Sequence, residues 1–440
     1  MKVEPDSPPL QIGASSRDLT PDWPVRVACH DWEPTTGFYQ RIRVKALALA
    51  QGQKRVVIIT ADALYFAADL STRIRARLAP LGLRDHEIIL NASHAHSTPA
   101  LCPLDLLTPE KIDERYRTFF VEQTVEAAVA ALTSLRPGRL YRQESTCDVG
   151  INKRLHGRMV PNPEGPVDPR VRLLVARTTD GATLAVLFLY GCHPSDQKDN
   201  ILGGDFFGLA QDELESLWPG TLFLSAQGTA GDVRVDHRDA SGQAFVWGDQ
   251  RSLDRTREFG RRLATAVRAA MAAPATELCG EIRTALNVIP VPLEAARSRE
   301  AAQAMTASAD PFQARWGRFM LAQYASDRPF FPASLPYTIQ ILRLGADFAI
   351  AALDGEVFTE TGGAIERALA PRSVYVLGYC NSIAGYLPPP REIPLGGYEI
   401  DIYNWWLAPA PFTPAAEPDV IKGAVNMTRN LESNPTSRHE

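Results

Sequence analysis

Two histidines stand two positions apart in residues 91–97 (NASHAHS), the part of the chain best suited to chemistry. They follow the apolar run at 87–90, which predicts a short buried strand. Imidazole is the commonest transition-metal ligand near neutral pH. A pair of this kind at a strand end can direct one ring, His94, at a metal and leave the other, His96, beside an open coordination position. The alternative is that both histidines have only a structural role, which the same spacing would also allow.

Three more polar side chains follow predicted strands. The runs 184–190, 348–353 and 373–379 are apolar and β-type, and His193, Glu356 and Tyr386 come just after them. Ligands and catalytic groups gather at the carboxyl ends of strands in α/β sheets, so we expect these residues to meet His94 there. Two histidines, a carboxylate and an oxygen donor suit Zn²⁺ with one position left for water or substrate. The alternative is that each residue has a structural role.

Another predicted strand, 221–225, leads into a segment rich in glycine and other small residues. Gly228 would let backbone amides approach a ligand closely. Asp232 would cap a helix or accept a hydrogen bond from a metal-binding histidine. Arg234 would face a polar or anionic group of the substrate, although a structural pair with a nearby aspartate fits equally well. Asn152 is a further candidate for a polar substrate pocket.

The elements that must position these residues alternate between β-type runs and helical patterns. This alternation predicts an α/β fold with a mixed β-sheet core flanked by helices and a metal site at the C-terminal ends of strands. Strands are predicted at 42–49, 55–61, 87–90, 171–176, 184–190, 221–225, 338–344, 348–353 and 373–379. Helices are predicted at 70–78, 111–135, 207–217, 252–272, 293–307, 311–325 and 359–369.

The predicted domain organisation is one catalytic domain over 1–410 and a polar tail over 411–440. The domain carries an insertion around 300–336, rich in aromatic and proline residues, that could form the wall of a pocket. A packed surface insertion would show the same composition.

Composition narrows the class of protein. A chain of 440 residues with 45% hydrophobic and 22% charged residues is typical of a globular protein. A net charge of −5 without a basic patch argues against a nucleic-acid or anionic-membrane partner. The expected partner is a small-molecule substrate. Six scattered cysteines predict free thiols in a reducing compartment. The N-terminus lacks a signal-peptide pattern and no apolar run reaches about 18 residues, so we expect a cytoplasmic protein without an integral membrane segment. Whether it forms a homo-oligomer stays open.

Taken in order, several short blocks resemble the catalytic domain of the neutral/alkaline (non-lysosomal) ceramidase family. The blocks are Gly13, Leu19-Thr20-Pro21, Ala61-Asp62, residues 93–97, residues 150–154, Val167-Asp168-Pro169, Cys192-His193-Pro194, Gly204-Asp205-Phe206, residues 227–232, Gly355-Glu356 and Gly385-Tyr386. The resemblance implies a zinc-dependent amidase. Its implied zinc ligands are His94, His193, Glu356 and Tyr386. It also implies that His96 lies beside the scissile carbonyl and that Tyr398 helps to polarise that carbonyl.

The chain departs from the family pattern at one informative place. The family's GDVSP block carries a serine where this chain has Arg234. A serine nucleophile is therefore not expected, and metal-activated water is the predicted nucleophile. Asp205 and His96 are the candidate general bases.

The substrate is predicted less directly. The chain ends near where the family's C-terminal immunoglobulin-like domain would begin, and Arg234 is polar, so we expect cleavage of a small N-acyl compound. An esterase or lactonase on the same metal site is the first alternative, and a non-catalytic, metal-stabilised binding protein is the second. A large apolar pocket near Phe330 and Phe331 would favour a lipid substrate, whereas a small pocket lined by Arg234 or Asn152 would exclude it.

Overall fold

The computed structural model describes residues 8–28, 33–197, 200–246 and 252–433, and Cys29 lies outside these ranges. The strands are β1 Gln11–Asp18, β2 Arg43–Gln51, β3 Lys54–Ala61, β4 Ile88–Ala92, β5 Arg136–Thr146, β6 Gly150–Leu155, β7 Arg158–Asn162, β8 Arg170–Thr178, β9 Thr183–Tyr190, β10 Leu222–Gln227, β11 Val233–Val235, β12 Thr276–Leu278, β13 Ile282–Pro292, β14 Ser334–Leu344, β15 Phe348–Leu353, β16 Glu356–Val357, β17 Ser373–Leu377 and β18 Tyr386–Leu387.

The helices are α1 Ala68–Leu78, α2 Glu114–Thr133, α3 Asp205–Leu217, α4 Leu253–Ala272, α5 Arg299–Met305, α6 Pro311–Ala325, α7 Thr359–Leu369, α8 Tyr398–Asp401 and α9 Ala416–Ser433. Short 3₁₀ helices near the site span Pro103–Asp105, Pro390–Leu395 and Ile402–Trp406. Within the described ranges, no helix is both long enough and apolar enough to cross a membrane.

The predicted α/β class with a mixed sheet is confirmed. The larger sheet has nine strands in the order β10-β9-β8-β5-β1-β2-β3-β4, with β12 paired to β5. Most pairs are antiparallel, whereas β3 with β4 and β9 with β10 are parallel. A second sheet has the order β13-β14-β15-β17.

The two sheets and their helices form four layers. Side chains alternate along each strand, so Ala46 and Ala48 of β2 face the helices while Leu47 and Leu49 face the second sheet. Helices α1 and α2 cover one half of the large sheet, and α3 and α4 cover the other half. Helices α7 and α9 cover the outer face of the second sheet. The strands are therefore buried on both faces, which explains their continuous apolar runs.

The two edges of the large sheet meet through a pair of buried amide side chains, which we call the Asn91–Gln227 clasp. Asn91 lies in edge strand β4, and Gln227 ends the opposite edge strand, β10. The Asn91 Nδ2 donates to the carbonyls of Gln227 at 3.2 Å and Gly378 at 2.8 Å, and the Gln227 N–H donates to Asn91 Oδ1 at 2.8 Å. The Gln227 Nε2 in turn donates to the carbonyls of Ser93 and Cys192. The clasp thus joins the carboxyl ends of β4, β9, β10 and β17.

Two departures from the predicted elements have clear causes. The helix expected over 293–307 begins only at Arg299, because Leu293 and Glu294 donate backbone hydrogen bonds to Ala333 and Pro411. No helix was predicted in the segment after residue 410, which was expected to be a polar tail. Helix α9 occupies it, and the helix buries Val420 and Ala424 against the second sheet.

The clasp predicts a stability defect. We expect Asn91→Leu, which keeps the side chain's size, to lower the free energy of unfolding by at least about 2 kcal/mol, because each buried polar group left unsatisfied costs about 1–3 kcal/mol. Urea unfolding followed by circular dichroism measures this change. The control is Asn287→Leu at an exposed position of β13, where we expect a change within about 0.5 kcal/mol. Equal stability of the two variants would show that the clasp does not hold the sheet edges together.

Candidate metal centre and active site

Three predicted metal ligands converge in the structure. The Glu356 Oε2 lies 2.8 Å from His193 Nε2 and 3.3 Å from His94 Nε2. One ligand atom of each residue lies within 4.8 Å of the others, and all three side chains are buried. This cluster could hold a metal ion.

The hydrogen bonds of the two histidines fit a cation between them and Glu356. The His94 Nδ1 lies 2.8 Å from the Leu64 carbonyl, and the His193 Nδ1 lies 2.6 Å from the Ala230 carbonyl. Each Nδ1 therefore donates to a backbone carbonyl, and each Nε2 is the ring atom that faces Glu356. Burial, together with the charge of Lys153, lowers the pKa of His193 to about 3. This orientation is the one found in histidines that bind a metal through Nε2.

Local backbone geometry places these ligands. His94 follows β4 with a φ of 66°, a left-handed conformation that is uncommon for residues other than glycine. Strands β16 and β18 form a two-residue parallel ladder that sets Glu356 beside Tyr386. Gly355, with a φ of 74°, lets these segments pass closely, because a Cβ there would lie 2.4 Å from the Gly385 carbonyl oxygen.

Tyr386 reaches the same point as the histidines. Its hydroxyl lies 3.3 Å from His193 Nε2, and the residue is buried. The structure therefore brings together all four residues that were predicted as ligands.

His96 and Tyr398 face the substrate side of this cluster. The His96 ring centroid lies 4.9 Å from that of His94, and the Tyr398 ring centroid lies 6.1 Å from that of Tyr386. Both residues line a small pocket in front of the ligands. The other residues that line it are Leu64, Tyr65, His94, Leu104, Asp105, Glu356, Tyr386, Ile402, Trp405 and Trp406.

The small pocket adjoins a large apolar cavity of about 650 Å³. The two share the walls formed by Tyr65, Leu104, Tyr386, Ile402 and Trp406. Most of the cavity lining is aliphatic or aromatic. It includes Leu293, Phe319, Met320, Phe330, Phe331, Leu335, Ile383, Ile393, Ile400 and Phe412. The insertion around 300–336 thus supplies a wall, as the sequence suggested.

Four other predicted site residues line neither cavity and contact the surrounding scaffold instead: Asn152, Asp205, Gly228 and Arg234. Asp205 accepts hydrogen bonds from the backbone of Gln197 and Phe206, which hold the loop before α3. The Arg234 guanidinium lies 4.5 Å from the centre of the Phe245 ring and is buried. The roles of Asp205 as a base and of Arg234 in substrate binding stay predictions, which these contacts do not test.

Asn152 and Gly228 likewise serve the scaffold. The Asn152 Nδ2 donates to the Pro166 carbonyl at 3.0 Å and to Asp232 at 2.9 Å. A Cβ on Gly228 would lie 3.1 Å from the Gly191 Cα, so this glycine permits two chain segments to pass each other. Asp232 accepts from the backbone N–H of Thr359 and so caps helix α7, and the two ligand histidines use backbone carbonyls as acceptors instead.

Sequence reasoning did not single out Lys153, a buried cation at the centre of the site. Its Nζ lies 3.3 Å from the Tyr386 hydroxyl and 3.5 Å from His193 Nε2. Burial lowers the pKa of Lys153, and Glu399 opposes that shift. The resemblance included residues 150–154 as a block, so the only signal was a lysine within a matched motif.

Asp105 was also missed, and it lines the small pocket. Its carboxylate accepts hydrogen bonds from the Tyr65 hydroxyl and the Cys102 backbone N–H. Burial raises the pKa of Asp105 to about 6. No sequence pattern marks it, because the Pro103–Asp105 turn reaches the site only through tertiary packing.

Known proteins share this fold and part of this sequence. The chain matches the structure of neutral ceramidase from Pseudomonas aeruginosa with a TM-score of 0.77, at 19% identity, over 99% of this chain and 76% of that one. A second structure, a ceramidase complexed with C2, matches with a TM-score of 0.76 at 18% identity, over 98% of this chain and 77% of that one. These likenesses show the fold.

The sequence comparison is more specific. Residues 29–229 match the family model described as neutral/alkaline non-lysosomal ceramidase, N-terminal. That range contains His94, His96 and His193, and the predicted ligands Glu356 and Tyr386 follow it. Over this range, a little under half of its length, the chain is similar to the neutral/alkaline non-lysosomal ceramidase family.

Proposed function

We propose that this protein is a zinc-dependent hydrolase that cleaves the amide bond of an N-acyl lipid of the ceramide type. The observation that carries the proposal is the His94, His193 and Glu356 cluster in a small pocket that shares walls with a large apolar cavity. The match to the family model and the titles of the similar structures support the same reaction.

The cavity changes the expected substrate. A small polar N-acyl compound was expected, with Arg234 or Asn152 in the pocket. Both lie outside it, and Phe330 and Phe331 line a cavity of about 650 Å³. Ligand pockets of about 300–1,000 Å³ usually bury most of their ligand, and each buried methylene group contributes about 0.8 kcal/mol. A long hydrocarbon chain is therefore the best occupant.

The residues that would hold the metal are His94, His193, Glu356 and Tyr386. A bound Zn²⁺ would polarise the scissile carbonyl and lower the pKa of a water molecule from about 15.7 towards about 7. Zinc suits the mixed nitrogen and oxygen donor set, and related divalent ions would use the same ligands.

The chain's own residues would supply charge and proton transfer. Tyr398 would donate a hydrogen bond to the oxygen that gains negative charge, an interaction worth about 2.7–4 kcal/mol for one donor. His96 lies beside the reacting carbonyl and is the first candidate for moving a proton. Asp105 replaces Asp205 as the carboxylate candidate, because it lines the small pocket. Lys153 places its amino group beside the Tyr386 oxygen.

The metal centre leads to the first functional prediction. We expect about one zinc ion per chain in the purified protein, and loss of that ion in both His193→Ala and Glu356→Gln, because each change removes a donor atom from the cluster. Plasma mass spectrometry of protein dialysed against zinc measures this content. The control is His156→Asn, an exposed histidine with a φ of 51° that asparagine also tolerates, and it should keep the metal. A wild-type protein without metal after reconstitution would contradict the proposal.

The apolar cavity leads to the second functional prediction. We expect kcat/KM to rise with chain length in a series of N-acyl lipids in which each chain is shortened in turn, by up to about fourfold per methylene group. Ile383→Trp should flatten this dependence by filling the cavity and should leave hydrolysis of the shortest amide largely intact. The control, Val288→Trp, lies at an exposed position outside the cavity and should keep the dependence.

Ester and lactone substrates belong in the same assay, since preferential turnover of either would replace the amidase proposal with that alternative. A metal-loaded protein that hydrolyses none of them would favour a binding protein.

A further inference from the structure

A buried arginine beside the metal centre holds the segment that carries Tyr398. This segment, residues 390–401, comprises the Pro390–Leu395 turn and helix α8, and we call it the strap. The Arg154 Nε donates to Glu392 Oε2 at 2.7 Å, and its Nη1 donates to Glu399 Oε2 at 2.7 Å. Its Nη2 donates to the carbonyls of Glu392 at 3.2 Å and Gly396 at 2.6 Å. One guanidinium therefore fixes the strap at three positions.

Tyr398 lies directly before the residue that Arg154 binds. Tyr398 is 40% exposed, whereas the next residue, Glu399, is 2% exposed and pairs with Arg154. Ring neighbours lie at centroid distances of 6.1 Å for Tyr386 and 6.5 Å for Trp405. The residue that faces substrate is thus placed by the buried anchor beside it.

The strap backbone just before Tyr398 consists of two glycines, of which the Gly397 N–H donates to Asp401 Oδ2 at 3.0 Å. Gly396 and Gly397 precede Tyr398 with φ values of 62° and 94°, and glycine adopts many conformations once its surroundings release it. A Cβ on Gly397 would lie 1.9 Å from the Gly157 carbonyl oxygen, so the strap lies directly on the β6–β7 turn. The Arg154 side chain joins the strap to the end of β6.

A bulge in β6 lets the neighbouring side chains of Lys153 and Arg154 both contact the Glu399 carboxylate. The β6–β7 register shifts between Asn152 and Arg154, which re-aims side chains that would otherwise point to opposite faces. Lys153 then lies 3.7 Å from Glu399 Oε1 and also contacts the Tyr386 hydroxyl. Glu399 therefore stands between the metal centre and Arg154, at 0% side-chain exposure.

We propose that Arg154 is a positioning residue that, through Glu399, sets the Tyr398 hydroxyl at the substrate pocket. The inference rests on the proposed function, in which Tyr398 acts on the carbonyl of the substrate. Arginine suits the role because its planar fork reaches several acceptors at once, which the single ammonium group of lysine cannot do. The proposal makes the contribution of Arg154 to turnover dependent on the presence of the Tyr398 hydroxyl.

The kinetic test is a double-mutant cycle between Arg154 and Tyr398. We expect Arg154→Met to lower kcat by about 10-fold or more with KM changed less than about threefold, because loss of one donor to the reacting oxygen costs about 10²–10³ in kcat. In the Tyr398→Phe background the same substitution should lower kcat by less than about twofold. Arg154→Lys should recover only part of kcat, since it restores one contact of several.

The matched control is Arg172→Met. Arg172 is also a buried arginine that bridges two acids, Asp168 and Glu366, but it lies outside both cavities. Its effect on kcat should be the same with and without the Tyr398 hydroxyl. If the effects of Arg154→Met and Tyr398→Phe multiply as independent changes, the positioning role is refuted.

A second measurement separates this inference from the proposed function. Hydrogen exchange of the zinc-loaded protein should show faster exchange across 390–401 in Arg154→Met, with unchanged exchange in β14 and unchanged metal content. Unchanged strap exchange would overturn the inference even in an active amidase. Faster strap exchange in a protein that hydrolyses no N-acyl lipid would keep the structural role of Arg154 and refute the proposed function instead.

Discussion

The active-site architecture depends on the Asn91–Gln227 clasp. A nine-stranded sheet places its edge strands far apart along the strand order, and β4 and β10 are those edges. The clasp closes the gap with hydrogen bonds between side-chain amides and backbone groups that are fully buried. A buried polar group must find its partners within the protein, so these amides specify one arrangement of the strand ends. His94 and His193 leave the sheet beside this clasp, and their meeting follows from it.

The second sheet completes the site from the opposite side. The Asn381 N–H donates to the Leu90 carbonyl at 2.8 Å, and the Ala92 N–H donates to the Tyr379 carbonyl at 3.1 Å. These bonds fasten the segment after β17 to the end of β4, and the adjoining β16–β18 ladder carries Glu356 and Tyr386. The Tyr379 ring then lies with its centroid 4.4 Å from that of His94. The side chains of all four predicted ligands are therefore buried, and the sheets hold their backbone.

The charged side chains in this buried region form a series of contacts. The ligand cluster and Tyr386 face Lys153, Lys153 faces Glu399, and Glu399 faces Arg154, which also binds Glu392. A buried charge is tolerated only when it is paired and hydrogen-bonded, so each contact constrains the next. Beyond the strap the surroundings become apolar, and the cavity walls supply hydrocarbon instead of hydrogen-bond partners. The predicted site thus combines buried polar side chains with an adjoining apolar cavity.

The sequence by itself determined the α/β class, the buried strands and the residues at their carboxyl ends. These strands are apolar on both faces, and their periodicity is a local property that a sequence displays directly. Strands such as β5 and β13 escaped prediction because they carry arginine, asparagine and proline among their apolar residues, and pairing with neighbours stabilises them instead. The same limit applied to Arg234 and Asn152, whose polar side chains gave no sign that they would be buried in the scaffold. Only the tertiary structure decided which polar residues reach substrate, the apolar cavity and the Arg154 contacts, because these arise where segments distant in sequence pack together.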